Sequence, residues 1–267
     1  MALWTLFGLR KGSASTDWPK AGNNHGQQGV WGMPRVLDGA CADSCEACIE
    51  VCPTQAIGRQ EKASTSGIVI DYGRCITCQR CVEVCPEPVL QATDTWALGV
   101  RNRDDLRWQA ALQTPEAAEL GQRIQTRFQR SLHIRHVDAG SCGGCESELQ
   151  ALNNPFYNLH RLGIFFTASP RSADLLLVTG ALTRSMLGPL HAAWEAMPEP
   201  RWVMAIGTCA VSGGIAEGGY TCGHGLNEEL PVDVYLPGCP PNPAAIIHAL
   251  LLLLGRSSQR VHAGRLT

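Results

Sequence analysis

Residues 140–149 read GSCGGCESEL, and this stretch decides the fold class because it joins an apolar run to a helical pattern. Its two cysteines, Cys142 and Cys145, form a C-x-x-C pair on a glycine loop. Such a pair alone is a weak signal, since redox dithiols and zinc sites share it. Cys209 in IGTCAVSGG and Cys239 in LPGCPPNP each follow another short apolar run. Four thiolates at strand ends in glycine-rich surroundings are what a four-iron cluster requires, so we expect one cluster site here.

Short apolar runs alternate with helical patterns along the C-terminal half of the chain. Strands are expected at 132–137, 163–168, 174–179, 202–206 and 232–236, and helices near 145–152, 185–197 and 244–254. This alternation predicts an α/β fold, a flavodoxin-like and mostly parallel open sheet. Open sheets of this kind bind ligands outside the carboxyl ends of their strands. Three of the four cysteines fall directly after an expected strand and therefore belong to that crevice.

Three glycines near these cysteines, Gly207, Gly213 and Gly214, are expected to line the cluster. Without side chains they would let backbone N–H groups approach the sulfides and stabilise the negative charge. The thirteenth cysteine, Cys222 in GGYTCGHG, lies outside every group of four, and with His224 it supplies only two donors. Two donors do not complete a metal site, so we expect no ligand role for it.

The N-terminal half carries two further groups of cysteines, in CADSCEACIEVCP and CITCQRCVEVCP. The second run is C-x2-C-x2-C-x3-C-P, the bacterial ferredoxin pattern, in which the fourth cysteine ligates the other cluster. We therefore expect an α+β, bacterial-ferredoxin-like domain that brings the total to three [4Fe–4S] clusters. One cluster would take Cys41, Cys45, Cys48 and Cys85, and the other Cys52, Cys75, Cys78 and Cys81.

The first of these runs departs from the pattern, because three residues rather than two separate Cys41 from Cys45. Four cysteines remain, so a four-iron cluster is still expected, although the longer loop alters the surroundings that set its reduction potential. Two structural zinc sites are the alternative. Zinc suits separated C-x2-C pairs better than two groups of four that each end in C-P.

The composition excludes several classes of function. The chain has 267 residues, and its 22 basic and 24 acidic residues are nearly balanced, so nothing points to nucleic acid as a partner. Thirteen cysteines are an odd number, and no signal-peptide pattern precedes them, which argues against a secreted disulfide protein and for a reducing cytoplasm. No segment has the 18 or so apolar residues needed to span a bilayer; residues 244–254 are predicted to form a buried helix instead.

The chain is expected to divide into five segments. These are an N-terminal arm (1–35), the ferredoxin-like domain (36–100), a linker (101–131), the α/β domain (132–255) and a C-terminal tail (256–267). The arm opens with an amphipathic stretch that suits docking to a partner or to a membrane interface. The linker has a plausible helix start at Thr114.

The motifs of the C-terminal half resemble those of a known family. SCGGCESE, DLLLVTGALT, EAMPEPRWVMAIGTCAVSGG and VDVYLPGCPP are similar to motifs of the small subunit of [NiFe]-hydrogenases, above all of the membrane-bound, energy-converting branch that includes formate hydrogenlyase. The small cluster-bearing subunit of NADH:quinone oxidoreductase is a relative, but its first two cysteines are adjacent. Here Gly143 and Gly144 separate them, which favours the hydrogenase branch. The resemblance implies that Cys142, Cys145, Cys209 and Cys239 ligate a cluster next to the active site of a large subunit.

The N-terminal half, including the arm LWTLFGLRKGSASTDWP, resembles the two-cluster ferredoxin subunit of the same complexes, so the chain resembles a fusion of two subunits. The implied function is electron transfer through three clusters to or from a hydrogenase large subunit. The implied partners are that subunit, integral membrane subunits and an electron donor such as a dehydrogenase or ferredoxin, on the cytoplasmic face of the inner membrane. The resemblance also suggests that Glu146 or Glu148 relays protons, with Glu146 favoured because it adjoins Cys145.

Three alternatives remain at this stage. One is a complex I-like module that reduces quinone without nickel, which differs in the partner and not in this chain. The second is a stand-alone ferredoxin-like carrier, for which a whole α/β domain would be superfluous. The third is a self-contained enzyme, but the sequence has no G-x-x-x-x-G-K, no G-x-G-x-x-G after a strand and no G-x-S-x-G.

Overall fold

A computed structural model describes most of the chain. The described residues are 3–12, 29–37, 41, 45–59, 67–87, 89–108 and 131–266. Most of the arm and of the expected linker, including the helix start at Thr114, lies outside them. Among the helices that the structure describes, none combines the length and the apolar character needed to cross a bilayer.

The N-terminal part is built from short helices and two small antiparallel sheets. The helices are α1 (Leu3–Lys11), α2 (Ala47–Glu50) and α3 (Arg80–Glu83), and the strands are β1 (Arg35–Val36), β2 (Ile57–Arg59), β3 (Ile68–Ile70) and β4 (Leu90–Gln91). Strand β1 pairs with β4, and β2 pairs with β3. Ile57, Ile68 and Ile70 are buried and belong to the hydrophobic core that also contains Cys48 of α2 and Cys81 of α3. The expected ferredoxin-like α+β region is confirmed.

The C-terminal part is a five-stranded parallel sheet flanked by helices. Its strands are β5 (Leu132–Asp138), β6 (Ile164–Phe166), β7 (Leu175–Thr179), β8 (Trp202–Ile206) and β9 (Val234–Leu236). Their spatial order is β6-β5-β7-β8-β9, the flavodoxin-like order 2-1-3-4-5. All five residues of β7 are buried, as expected where helices cover both faces of a parallel sheet. The predicted fold class is confirmed.

Four helices and a terminal hairpin complete this part. The helices are α4 (Gly144–Ala151), α5 (Arg184–Glu195), α6 (Thr208–Ser212) and α7 (Pro243–Leu253), and the hairpin joins β10 (Val261–His262) to β11 (Arg265–Leu266). Every residue of α7 is buried, so the apolar run in this region is a core helix. Asn242 caps it by accepting a hydrogen bond from the Ala245 N–H at 2.8 Å.

Three strands, β6, β7 and β9, begin later than the sequence predicts, and an aspartate directly precedes two of them, β7 and β9. The Asp174 carboxylate accepts the backbone N–H of His133 at 2.9 Å, and the Asp233 carboxylate accepts that of Val203 at 2.8 Å. In both places a carboxylate oxygen accepts a hydrogen bond from a backbone N–H of the neighbouring strand, close to where the two strands begin to pair. The spacing of apolar residues along the sequence does not reveal such hydrogen bonds between a side chain and the backbone.

The two parts of the chain share an edge of the sheet. Val100 and Tyr235 exchange backbone hydrogen bonds of 2.9 and 2.8 Å, which adds a short antiparallel bridge beside β9. Residues 101–108, expected as the start of the linker, contact both parts: Trp108 donates to Ile70 and Asp105 accepts from Gly264. The segment boundaries at 100 and 255 stay predictions.

Candidate metal centre

The four C-terminal cysteines stand at the carboxyl edge of the sheet. Cys142 lies between β5 and α4, Cys145 in the first turn of α4, Cys209 in α6, and Cys239 between β9 and α7. The Asp138 carboxylate holds the first loop by accepting two backbone N–H groups, each at 2.8 Å. The strand-loop-helix connections therefore bring these cysteines to one edge, as the topology predicts.

The four thiols lie close enough together for the charge of one to affect the pKa of another. Burial raises the pKa of Cys145 to about 12, and Glu146 and the other three thiols act in the same direction. Burial raises the pKa of Cys209 to about 11, with Cys239 and Cys142 as the next causes. A thiolate at Cys145 or Cys209 is thus disfavoured until a cation compensates the charge. We call this set, Cys142, Cys145, Cys209 and Cys239, the terminal group.

Two glycines make room for the terminal group. A Cβ atom at Gly207 would lie 2.7 Å from the Cys145 sulfur, and one at Gly214 would lie 3.1 Å from the Cys209 sulfur. Their N–H groups and that of Gly213, however, have acceptors within the protein: Gly207 donates to Leu236, Gly213 to Cys209 and Gly214 to the Ser212 hydroxyl. Gly207 and Gly214 therefore contribute space beside the sulfurs, and the expected donation of glycine N–H groups to a cluster stays a prediction.

The N-terminal cysteines form two further groups, and each takes its fourth member from the other run. Burial raises the pKa of Cys48 to about 11, with Cys41, Cys85 and Cys45 as neighbouring thiols. We call these four residues the outer group. Burial raises the pKa of Cys75 to about 12, with the thiols of Cys81, Cys52 and Cys78 around it. We call these four the middle group.

The outer group keeps its contacts despite the longer spacing between its first two cysteines. The thiols of Cys41 and Cys45 are hydrogen bonded, and the positive charge of Arg59 lies near Cys41. Arg59 also donates a hydrogen bond to the Cys45 carbonyl. The extra residue therefore does not separate the two thiols.

The middle group surrounds a pocket with apolar walls. Its four cysteines line the pocket together with Pro53, Ala56, Ile57, Ile70 and Ile76. Throughout the described residues, no three His, Cys, Asp or Glu side chains gather closely enough for a single metal ion.

Glu146 belongs to a hydrogen-bonded chain that sequence reasoning missed. Thr179, the last residue of β7, donates its hydroxyl to Oε1 of Glu146. Nε2 of His136 lies 2.8 Å from the Thr179 hydroxyl and 3.7 Å from the same carboxylate oxygen. The other oxygen of Glu146 is buried and has no hydrogen-bond partner among the described residues. Only the topology reveals this contact, since β5 and β7 are adjacent and end at the same edge.

The remaining site residues differ in their surroundings. Burial lowers the pKa of His136, although Glu146 and Asp138 oppose the shift. Burial raises the pKa of Glu148. Cys222 lies outside the three groups, in the lining of a pocket of about 400 Å³. Its neighbour His224 interacts with the Glu217 carboxylate, at 3.4 Å.

Comparison with known proteins shows which protein family the C-terminal part of the chain resembles. Residues 142–253 match the family described as NADH ubiquinone oxidoreductase, 20 kDa subunit. A probable membrane-bound hydrogenase subunit, mbhJ of Pyrococcus furiosus, is 39% identical over 132 residues, which are 49% of this chain and 79% of that protein. The chain belongs to this family. The resemblance inferred from the motifs is confirmed.

Other relatives come from both branches of the family. Formate hydrogenlyase subunit 7 of Escherichia coli is 43% identical over 137 residues, which are 51% of this chain and 54% of that protein. An NADH-quinone oxidoreductase subunit of Citrifermentans bemidjiense is 47% identical over 109 residues, which are 41% of this chain and 64% of that protein. The chain thus spans about half to two thirds of the length of these two relatives.

The N-terminal half matches a second family. Residues 40–89 match a 4Fe–4S dicluster domain. Together with the grouped cysteines, this match identifies the chain as an iron–sulfur protein, and the zinc alternative for the N-terminal groups falls away.

Proposed function

We propose that this family member is an electron-transfer subunit of a membrane-bound hydrogenase complex of the formate hydrogenlyase type. It carries electrons through three [4Fe–4S] clusters to or from a [NiFe] large subunit. The observation that supports this most is the sorting of twelve cysteines into the outer, middle and terminal groups, four thiols each. When bound, each cluster takes up and releases one electron.

The fit of the residues to clusters rests on the donor sets. Each group supplies four sulfurs, the number that a [4Fe–4S] cluster requires. Gly207 and Gly214 leave space where a Cβ would press on a sulfur, and apolar walls surround the middle group. Removal of solvent and the surrounding hydrogen bonds tune cluster potentials.

Two features favour the hydrogenase branch with a docked partner. Gly143 and Gly144 separate the first two terminal cysteines, whereas adjacent cysteines mark the quinone-reducing relatives that the sequence resembles. Cys142 and Cys239 are exposed at the sheet edge, as is Pro240. An exposed cluster edge suits a large subunit that approaches over residues 142–146.

A stand-alone carrier would not need the α/β domain. A complex I-like module without nickel is the second candidate, because the family contains both branches.

Further partners and the location follow from this role. Membrane subunits would lie beyond the large subunit, on the cytoplasmic face of the inner membrane. The outer group would receive electrons from a donor protein, a dehydrogenase or a ferredoxin. Glu146 would relay protons between the large subunit and the Thr179–His136 pair, with Glu148 as the alternative carboxylate.

Anaerobic purification with the native partners tests the proposal. We expect iron and acid-labile sulfide in all three groups, nickel in the large subunit, and reduction of every cluster signal by hydrogen gas. Nickel-free complex with intact clusters would support the quinone-reducing candidate. A chain that holds iron but purifies without any larger subunit would contradict both.

A further inference from the structure

The middle and terminal groups meet at one buried hydroxyl, that of Thr208. Thr208 is 1% exposed and directly precedes Cys209. Its Oγ1 donates a hydrogen bond to the backbone carbonyl of Cys75 at 2.9 Å. Cys75 belongs to the middle group, so this hydrogen bond joins the backbone of a middle-group cysteine to the side chain of the residue before Cys209, a terminal-group cysteine.

The same hydroxyl also holds the loop of a second terminal cysteine. The Gly238 N–H, which precedes Cys239, donates to Thr208 Oγ1 at 3.2 Å, and the Thr208 N–H donates to the Gly238 carbonyl at 2.9 Å. A hydroxyl has one proton to give. The Gly238 carbonyl is 3.3 Å from Oγ1, so the closer Cys75 carbonyl is the preferred acceptor.

Neighbouring contacts keep this junction in place. Arg74, next to Cys75, forms an ion pair with Glu217, and its Nε donates to the Thr54 carbonyl at 3.3 Å. On the far side, Cys48 of the outer group contributes to the raised pKa of Cys81 in the middle group. The three groups therefore lie in the order outer, middle, terminal, and the described residues contain no direct link from outer to terminal.

We propose that Thr208 is a positioning residue for electron transfer between the middle and the terminal groups. It provides a short route through the Cys75 backbone, one hydrogen bond and the Thr208–Cys209 peptide. One electron leaves the middle site, which becomes oxidised, and enters the terminal site, which becomes reduced. No bond breaks and no proton moves, since the hydroxyl keeps its hydrogen. This inference rests on the proposed electron-transfer function.

The test uses the full chain loaded with clusters and three variants. Thr208→Val removes the hydroxyl at nearly constant volume, Thr208→Ser retains it, and Ser212→Ala removes a buried hydroxyl of the same helix that contacts the Thr208 carbonyl and the Gly214 N–H. Iron and sulfide are measured first. Freeze-quench EPR then follows the terminal signal after mixing with a reduced viologen, a one-electron donor. Cys81→Ser lacks the middle site. The rate at which its terminal site is reduced therefore measures direct electron transfer from the viologen.

We expect slower arrival of the electron at the terminal site in Thr208→Val, recovery in Thr208→Ser and no change in Ser212→Ala. The spin–spin broadening between the two sites reports their separation and should be the same in all three. An unchanged rate in fully loaded Thr208→Val would overturn the proposal. So would equal slowing in Ser212→Ala, or a loss of broadening, because either result indicates general loosening.

A second measurement needs no change at Thr208 and covers the case in which Thr208→Val loses iron. In the unaltered chain the terminal signal should broaden when the middle site is reduced, and Cys81→Ser should abolish that broadening. If the broadening persists in Cys81→Ser, a site other than the middle one lies next to the terminal group, and the proposal is wrong. Missing iron or missing nickel would instead count against the proposed function, so the two failures are distinguishable.

Discussion

The hydroxyl of Thr179 donates a hydrogen bond to the carboxylate of Glu146, and so links the end of a central strand to the first turn of the helix beside Cys145. The bond spans residues from two crossover units of the sheet. It fixes the carboxylate against the terminal group while its second oxygen stays unpartnered among the described residues.

Thr179→Val should destabilise the folded chain by about 1.5–3 kcal/mol, because it removes a donor from a mostly buried carboxylate. Urea unfolding measures the change. Thr167→Val is the matched control, since the Thr167 hydroxyl bonds to Ser172 at an exposed position and its loss should have a small effect. If both variants lower the free energy of unfolding equally, the hydrogen bond to Glu146 contributes no more to stability than an exposed one.

Glu146→Gln should slow proton-coupled turnover of the assembled complex and leave iron content and EPR signals intact. The amide keeps the size of the side chain but does not carry the proton that a carboxylate accepts. The comparison is made with Glu148→Gln, which alters the alternative carboxylate. Full turnover in Glu146→Gln would return this residue to a purely structural role.

Gly207→Ala should cost the terminal cluster and spare the other two. The added Cβ would lie 2.7 Å from the Cys145 sulfur, at a backbone φ of 86° that disfavours a side chain. Iron should fall by about four atoms per chain, the content of one [4Fe–4S] cluster. Gly188→Ala serves as the control, because nothing lies within 4 Å of its Cβ position in helix α5. Intact iron in Gly207→Ala would mean that the loop can move aside.

The cysteine assignment predicts about twelve irons and as many sulfides per anaerobically prepared chain. Cys81→Ser should remove about four irons by disrupting the middle group. Cys222→Ser should remove none and should leave the EPR signals unchanged, although its thiol lies close enough to Cys209 to affect that residue's pKa. A cluster lost in Cys222→Ser would refute the assignment of this cysteine as a bystander.

The stability of the fold should depend on pH through His248. This residue of helix α7 is buried, and burial, together with the charge of Arg260, lowers its pKa to about 4 from the ordinary 6.5. Its Nε2 contacts the Ser258 carbonyl at 3.1 Å, and its ring meets that of Trp96 edge-on. The folded state therefore holds a neutral imidazole, whereas the unfolded chain takes up a proton below pH 6.5.

The free energy of unfolding should fall as the pH drops from 6.5 towards 4, by roughly 3 kcal/mol from this residue, since each pH unit is worth 1.36 kcal/mol. His248→Gln, which keeps a donor for Ser258, should flatten this part of the profile. His262→Gln, at an exposed position, should leave it unchanged. Parallel profiles for His248→Gln and the unaltered chain would refute the prediction.

The sequence predicted the sheet because apolar runs follow a short-range rule, whereas the assignment of the cysteines to three clusters stays a prediction. Apolar runs located all five strands, and the C-P pattern paired each fourth cysteine with the other run. Helix α6 was missed, because Thr208–Ser212 is barely one turn between two glycines and shows no helical period. Whether the N–H of Gly207 can reach a cluster could not be judged from the sequence for a related reason: it depends on where Leu236 lies, a residue on another strand.

The hydroxyl of Thr208 and the carboxylate pairs of Asp174 and Asp233 lay beyond sequence reasoning in the same way. Each connects positions that are far apart along the chain, and each residue type is also common in turns and at helix starts. Tertiary placement, not composition, gives Thr208, Asp174 and Asp233 these contacts.

The bridge between Val100 and Tyr235 has a consequence for the order of assembly. The ferredoxin-like part leaves the ribosome first, but the backbone partner of Val100 arrives only when Tyr235 has been synthesised. Until then the amide and carbonyl of Val100 lack these two hydrogen bonds. Because one chain carries both halves, the later half then finds the earlier one at the high effective concentration of an intramolecular encounter. The junction between them consequently does not need the affinity that two separate subunits would require.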